Sequence, residues 1–170
     1  MPGTIPMKRK YYPGNSGLSN AHAEENDKQM IEEIWHNAKL LAIIVSGKFN
    51  EPGIHFFTPG EFSQQLAFMR HSEGRIIAPH LHNPVKREVQ FTKEVLILRK
   101  GSLRVDFFSE EKEYIKSRIL NKGDVILLSE GGHGFEVLEE VEMFEIKQGP
   151  YAGESDKTRF ESSPDNLSFI

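Results

Sequence analysis

Two histidines near the middle of the chain have the spacing of metal ligands on a β-strand. They end the run Gly74-Arg-Ile-Ile-Ala-Pro-His80-Leu-His82. Alternate side chains of a strand share one face, so a strand over residues 75–82 directs both imidazoles to the same side. Two imidazoles on one face form a chelate for a divalent cation. The pair on its own also fits the polar rim of a barrel, because a His-x-His pattern arises by chance in many chains.

An acidic residue and a third histidine farther along the chain strengthen the metal interpretation. Glu94 begins an apolar strand that ends at Gly101, and it shares a face with Leu96 and Leu98. A carboxylate buried among apolar side chains needs a partner, and a metal would supply one. His133 follows two glycines and precedes a third, so a simple turn residue is the alternative. The chain has no cysteine, so any metal must rest on imidazole, carboxylate and water.

The segments that carry these residues resemble the two sequence motifs of the cupin superfamily. Residues 74–101 look like the first cupin motif, and residues 123–137 look like the second. In cupins the first motif supplies two histidines and a glutamate, and the second supplies one histidine, to a single metal in the barrel. The metal ligands that the resemblance implies are His80, His82, Glu94 and His133.

The first motif departs from the cupin pattern by a long insertion. Residues 83–93, which separate His82 from Glu94, outnumber the few residues usual in cupins. We expect this insertion to form an extended hairpin or lid near the mouth of the barrel. Glu88 within it is an alternative carboxylate ligand, but the distance from Glu94 to Gly101 fits the motif better. The second motif also lacks its usual proline and its later asparagine.

Short β-rich runs separated by turn residues fill the chain from residue 40 onward. Their spacing of roughly 8–12 residues is typical of an all-β sandwich or barrel. No helical pattern is long enough to connect parallel strands, so the sheets should be antiparallel. We therefore predict an all-β, antiparallel double-stranded β-helix, the jelly-roll or cupin barrel. The predicted strands are 40–45, 54–58, 64–70, 75–82, 94–99, 103–109, 114–120, 124–128, 133–138 and 141–148.

A short helix is predicted ahead of this barrel. Asn20 or Asn26 is a candidate N-cap, and acidic residues follow in the first turn. A strand is the alternative, because the apolar run 40–45 follows at once. The apolar stripe of the predicted helix consists of Met30, Ile31, Ile34 and Trp35.

Length and composition predict one soluble domain. A chain of 170 residues has room for one substantial core, which we place at residues 21–160, between a flexible arm over 1–20 and a tail over 161–170. The formal charge of −4 gives no basic field for nucleic acid or anionic lipid. The longest apolar run is far too short to cross a bilayer, and no secretory signal opens the sequence, so a cytoplasmic location is expected.

The strand that begins at Glu94 also predicts a homodimer. Its two leucines, Leu96 and Leu98, lie on one face, while Val95 and Ile97 lie on the other. A strand that is apolar on both faces is buried on both sides. Either a strand from residues 40–58 or a second subunit should therefore cover the outer face.

The implied ligand set predicts a metal-dependent enzyme. Three histidines and one carboxylate leave open positions on Mn, Fe, Ni or Zn, where the metal could polarise a carbonyl or an enediolate, or bind oxygen. We expect a small polar metabolite as substrate, in isomerase-like or epimerase-like chemistry, with oxygenase or decarboxylase chemistry as an alternative. The candidate substrate-binding residues are Gln65, Arg75, Glu136 and Lys147.

Residues in the C-terminal part of the chain indicate a particular group within the cupin superfamily. Residues 131–135 and 145–151, with Asp156-Lys157 beyond them, resemble cupins linked to nucleotide-sugar and surface-polysaccharide pathways. Related sugar ketoisomerases use a histidine pair as acid and base without metal, which is a second enzymatic possibility. A non-catalytic sugar- or metal-binding module and a purely structural β-protein remain alternatives, because fold alone does not decide function.

Overall fold

The computed structural model describes residues 30–161, and their regular structure is almost entirely β-strand. Every strand pair is antiparallel, which confirms the all-β, antiparallel prediction. The one helical segment within 30–161 is the 3-10 turn Gly153–Asp156. The strands are β1 (Ile31–His36), β2 (Lys39–Val45), β3 (Gly53–Phe56), β4 (Ala67–Arg70), β5 (Glu94–Lys100), β6 (Ser102–Phe108), β7 (Tyr114–Asn121), β8 (Val125–Leu128), β9 (Gly132–Val137) and β10 (Glu142–Lys147).

The chain forms two compact units. The smaller unit contains Asn50–Val89, and the larger contains the described residues 30–49 and 90–161. The expected N-terminal arm, and the tail beyond residue 161, lie outside the described residues.

The smaller unit is built on the β3–β4 hairpin. Its loop is closed by backbone and side-chain hydrogen bonds: Phe57 N–H donates to the Leu66 carbonyl at 2.9 Å. Gln65 Nε2 donates to the carbonyls of Pro59 and Phe62 at 2.8 and 2.9 Å. The loop therefore has its own internal hydrogen-bond network.

The prediction of a strand over 75–82 is wrong, and so is the expected hairpin over 83–93. Residues 75–93 carry no strand and pair with none of the described strands. Pro79 and Pro84 each lack an N–H group, which weakens any ladder that this segment could form within one chain. The strand-parity argument for the two histidines therefore has no support from the single chain.

Two sheets form the larger unit. A five-stranded sheet has the order β1-β2-β8-β5-β10, and a three-stranded sheet has the order β7-β6-β9. Their facing sides share one hydrophobic core, as in a β-sandwich. Neither sheet closes into a barrel within the described residues. The core residues are Ile34, Leu41, Ala42, Leu96, Leu98, Leu103, Val105, Phe107, Leu120, Ile126 and Leu128.

The tight turn between β5 and β6 carries the chain from one sheet to the other. Its turn residue Gly101 has a φ of +81°, and a Cβ there would overlap the backbone carbonyl of Glu140. Only glycine satisfies both conditions without strain. This turn keeps consecutive strands on opposite sides of the core.

Three of the four residues expected to form a helical stripe, Ile31, Ile34 and Trp35, lie on β1 instead. Ile31 pairs with Val45 and Ile34 with Ala42, and Ile34 is fully buried. The tight turn between β1 and β2 has positive φ at two residues, which is typical of a two-residue hairpin. Over 31–36 the strand alternative is therefore the one observed, because pairing with β2 buries Ile34. Residues 20–29 of the predicted helix lie outside the described residues.

Candidate active site in the larger unit

Glu94 and His133 lie next to each other although they belong to different sheets. Glu94 is the first residue of β5 and lies on the same face as the buried Leu96 and Leu98. His133 pairs with Phe107 of β6, which belongs to the core, so its ring is also on the core side. His133 Nε2 is 3.3 Å from Glu94 Oε2. Of the four predicted ligands, the structure brings these two together.

A line of charged groups continues from this pair. Lys147 is the cross-strand neighbour of Glu94, and its Nζ lies 3.3 Å from Glu94 Oε1 and 2.7 Å from Asp156 Oδ2. Thr92 Oγ1 donates to Asp156 Oδ1 at 3.1 Å. Ion pairs and hydrogen bonds thus connect five polar side chains in space, in the order His133, Glu94, Lys147, Asp156 and Thr92.

The charged side chains in this series of contacts shift one another's pKa values. The hydrogen bond from His133, with a further contribution from Lys147, lowers the pKa of the Glu94 carboxyl. The hydrogen bond of Lys147 to Asp156, followed by its hydrogen bond to Glu94, raises the pKa of Lys147. The pKa of Asp156 is lowered by Lys147 first and by the Thr92 hydroxyl second. Both carboxyls are therefore held as carboxylates.

A second polar network lies on β6, β7 and β9. Arg104 donates to both carboxylate oxygens of Asp106, at 2.9 and 3.2 Å, and forms an ion pair with Glu136. Ser117 Oγ donates to the same Asp106, and Tyr114 hydrogen-bonds to Ser117. The bidentate contact raises the pKa of Arg104. This network fixes the guanidinium in one orientation.

Both networks line one cavity of about 660 Å³. Because β9 is an edge strand, residues from both of its faces contribute, His133 on one side and Glu136 on the other. Phe160 and Phe108 meet edge to face with ring centroids 5.2 Å apart, and a Cβ at Gly132 would lie within 3.1–3.3 Å of these two side chains, so one of them would have to shift slightly. Four aromatic side chains line the cavity, namely Phe91, Phe108, Phe135 and Phe160.

The other two predicted ligands belong to the smaller unit. His80 and His82 are exposed, and their ring centroids lie 5.2 Å apart in an edge contact. The alternative carboxylate, Glu88, is also exposed and lies 3.4 Å from Lys86. Within residues 30–161 no group of three or more histidine, aspartate or glutamate side chains is arranged to hold a metal. The four-ligand site stays a prediction.

The four predicted substrate-binding residues divide in the same way. Glu136 and Lys147 line the cavity, while Arg75 is exposed in the smaller unit and Gln65 holds the β3–β4 loop. A role of these residues in binding is a prediction that the geometry leaves open.

Several cavity residues were not identified from the sequence. Arg104 and Asp106 alternate along β6, so their shared face and ion pair could have been read from the strand pattern. Thr92 and Asp156 are separated by 64 positions, and no local pattern predicts their contact. The aromatic contact of Phe160 has no sequence signal either.

Fold and site together define the larger unit as an antiparallel β-sandwich with a charged cavity beside the open edge of one sheet. Comparison of the chain with family models, curated proteins and solved structures gave no match. Among residues 30–161 there is no helix with the length and apolar character needed to cross a membrane.

Proposed function

We propose that this protein is a cupin-type metal-binding protein that works as a metal-dependent enzyme on a small polar metabolite. The observation that carries the proposal is the contact of Glu94 with His133 at 3.3 Å inside a cavity of about 660 Å³. A carboxylate and an imidazole that converge from two sheets are the donors that Mn, Fe, Ni and Zn accept.

The architecture supports the cupin part of the proposal. Two antiparallel sheets enclose one core, and the consecutive strands β5 and β6 lie in different sheets, as consecutive strands do in a jelly-roll. Glu94 begins β5, and His133 lies on β9, the strand that pairs with β6. These are the placements that the resemblance to the two cupin motifs leads one to expect.

The donor set fits a metal in part. Glu94 and His133 supply two ligands, and His80 and His82 are proposed to complete the set. A bound metal would supply a Lewis acid at the cavity. Lys147 holds Glu94 and Asp156 at fixed distances and so orients the carboxylate. Arg104, fixed by Asp106, holds Glu136 at the cavity through an ion pair.

The cavity suits a small metabolite with polar groups and an apolar part. Its volume lies within the range usual for small-molecule sites, roughly 300–1,000 Å³. Charged side chains and four phenylalanines are both part of its lining. We propose a nucleotide sugar or a sugar acid as the substrate class and isomerase-like or epimerase-like chemistry as the reaction.

A metal-free acid–base enzyme is a second candidate that the geometry favours. A carboxylate 3.3 Å from an imidazole orients the ring, so that its other nitrogen can take or return a proton. In that mechanism His133 removes a proton beside a carbonyl and Glu94 stabilises the imidazolium. A non-catalytic sugar- or metal-binding module would use the same cavity without turnover.

A thermal-shift screen separates these possibilities. The wild-type protein is heated with Mn, Fe, Ni, Co or Zn, and then with nucleotide sugars and sugar acids, beside His133→Ala. His71→Ala serves as a matched control, because His71 is an exposed histidine of the smaller unit. We expect a metal to raise the Tm of the wild type and of the control but not of His133→Ala. A sugar response without any metal response supports the acid–base candidate and contradicts the metal proposal.

A further inference from the structure

A segment without strand pairing follows β10 and runs beside the cavity. We call residues 149–160 the strap. Just ahead of it, the backbone N–H of Gln148 donates to the Lys93 carbonyl at 3.3 Å. Within the part of the chain that the structure describes, no backbone hydrogen bond joins the strap to a strand. Side chains therefore hold the strap against the larger unit.

The first of these side chains is Asp156. Lys147 Nζ lies 2.7 Å from Asp156 Oδ2, and Thr92 Oγ1 donates to Asp156 Oδ1 at 3.1 Å. Hydrogen bonds between oppositely charged groups are among the stronger ones in proteins. Lys147 ends β10, and Thr92 comes two residues before Glu94, the first residue of β5. This contact therefore fixes the strap to the five-stranded sheet, beside Glu94.

The second is Phe160, at the other end of the strap. Its ring meets the Phe108 ring of β6 edge to face, and Lys112 Nζ lies 5.8 Å from its centroid. A Cβ at Gly132 would lie 3.1 Å from Phe160 Cζ, so the missing side chain lets the ring approach the start of β9. This contact fixes the strap to the three-stranded sheet, one residue from His133.

The residues between the two contacts complete the wall of the cavity. Lys157, Thr158 and Arg159 line the same cavity as Glu94 and His133. The contacts at either end of these three residues belong to different sheets, and Glu94 and His133 converge from those same two sheets. The strap therefore spans the cavity from one sheet to the other.

Little buried surface keeps the strap in this position. No residue of 149–160 is buried, and only Gly153, Asp156 and Phe160 are partly buried. A segment with few buried contacts opens locally at a low cost in free energy, while the rest of the domain stays folded. The contacts of Asp156 and Phe160 therefore decide whether the strap lies on the cavity or leaves it.

The strap can lift as one piece because its remaining contacts are internal. Gly153–Asp156 forms a 3-10 turn, and Arg159 donates to Glu154 Oε2 at 2.9 Å. Gly149 begins the strap, and a Cβ added there would approach only the strap itself, at the amide nitrogen of Tyr151, 3.9 Å away. Glycine has the widest backbone freedom of all residues, so Gly149 suits a hinge.

We infer that the strap is a lid: it covers the cavity, lifts about a hinge at Gly149, and is held shut by two latches, Asp156 on Lys147 and Phe160 on Phe108. A small molecule enters or leaves the cavity when both latches are released. This inference concerns access to the cavity and depends neither on a bound metal nor on the reaction proposed above.

Trypsin measures how often the lid is open. Lys157 and Arg159 are cleavage sites within the strap, and cleavage there requires the strap to leave the cavity wall. Mass spectrometry follows both cuts, and each rate is divided by that of a synthetic peptide of the same sequence. We expect Asp156→Asn and Phe160→Ala to raise this ratio at least about fivefold. Glu154→Gln is the matched control and should leave it unchanged, because its contact lies within the strap. Unchanged ratios in both latch variants overturn the inference.

Modification of His133 by diethyl pyrocarbonate tests whether the lid covers the cavity. The reagent acylates accessible imidazoles, and peptide mass spectrometry gives the rate at His133 relative to the exposed His71 of the same molecule. We expect this relative rate to rise at least about fivefold in both latch variants and to stay unchanged in Glu154→Gln. Phe160→Ala changes no charge, so a rise in that variant cannot come from altered electrostatics at His133. If the strap is cleaved faster in the latch variants while the His133 rate stays the same, the strap is not a lid. The thermal-shift screen tests the proposed function separately, so that either idea can fail without the other.

Discussion

The two regions that carry the predicted metal ligands differ in one structural respect, which is strand pairing. His133 belongs to β9, whose pairing with β6 fixes the ring on the core side, 3.3 Å from Glu94. His80 and His82 belong to a run that pairs with none of the described strands, and both are exposed. The side chains of a predicted ligand motif therefore have a fixed position only where the motif lies on a strand that pairs with its neighbours.

The largest expected loss of stability comes from a substitution in the core of the paired region. Phe107 is the buried partner of His133 on β6. Phe107→Ala should leave a core cavity and lower the free energy of unfolding by about 3–5 kcal/mol. Leu81→Ala, a substitution in the unpaired region, should change it by less than about 0.5 kcal/mol in the monomer. Urea denaturation measures both values, and equal losses would contradict the contrast.

A smaller effect is expected from the carboxylate of the paired region. Glu94→Gln weakens the contacts with His133 and Lys147, so we expect a loss of about 1–2 kcal/mol in the free energy of unfolding. Glu88→Gln is the matched control in the unpaired region, and it should have no measurable effect. Urea denaturation compares the two variants. A larger loss of free energy of unfolding for Glu88→Gln than for Glu94→Gln would contradict the choice of Glu94 as the carboxylate of the site.

Gln65 sharpens the comparison because its role can be separated from binding. Its amide holds the β3–β4 loop through the carbonyls of Pro59 and Phe62. Gln65→Ala should cost about 0.5–1 kcal/mol in the free energy of unfolding and leave ligand affinity unchanged. Calorimetric titration with any ligand found in the thermal-shift screen measures that affinity. A large fall in affinity would return Gln65 to the binding site.

The smallest effect is local and depends on pH. Asp156 has a lowered pKa because of Lys147, so its contribution to stability is complete above its ordinary pKa of 3.8 and is lost as the pH falls through the lower folded value. We expect the hydrogen-exchange protection factors of residues 150–161, corrected for the intrinsic rate at each pH, to fall in this acid range. Asp156→Asn should raise exchange at neutral pH and remove its acid dependence. If hydrogen exchange in Asp156→Asn keeps the acid dependence of the wild type, another titrating group causes that dependence.

Strand periodicity predicted most of the larger unit. The alternation of Leu103, Val105 and Phe107 identifies the core face of β6, and turn residues such as Gly101 mark its limits. The residues of β1 were ambiguous because isoleucines at positions 31 and 34 fit a helical stripe as well as a strand. Pairing with β2 decides between them, and pairing is not encoded locally.

The candidate site was predicted only where local pattern and pairing agree. Glu94 and His133 were found because each lies on a paired strand at a motif position. The contact of Thr92 with Asp156 joins positions 64 residues apart, and only the folded chain brings them together. The run 75–82 was predicted as a strand from the spacing of His80 and His82, but Pro79 lacks an N–H group and none of the described strands pairs with the run.

Metal stoichiometry tests the central claim most directly. The protein is dialysed to equilibrium against Mn, Fe, Ni or Zn, and the metal bound per chain is measured for the wild type, Glu94→Gln and His133→Ala, with His71→Ala as the control. The account predicts about one ion per chain in the wild type and the control, and a large loss in both site variants. A wild type without bound metal, or site variants that retain it in full, would contradict the account.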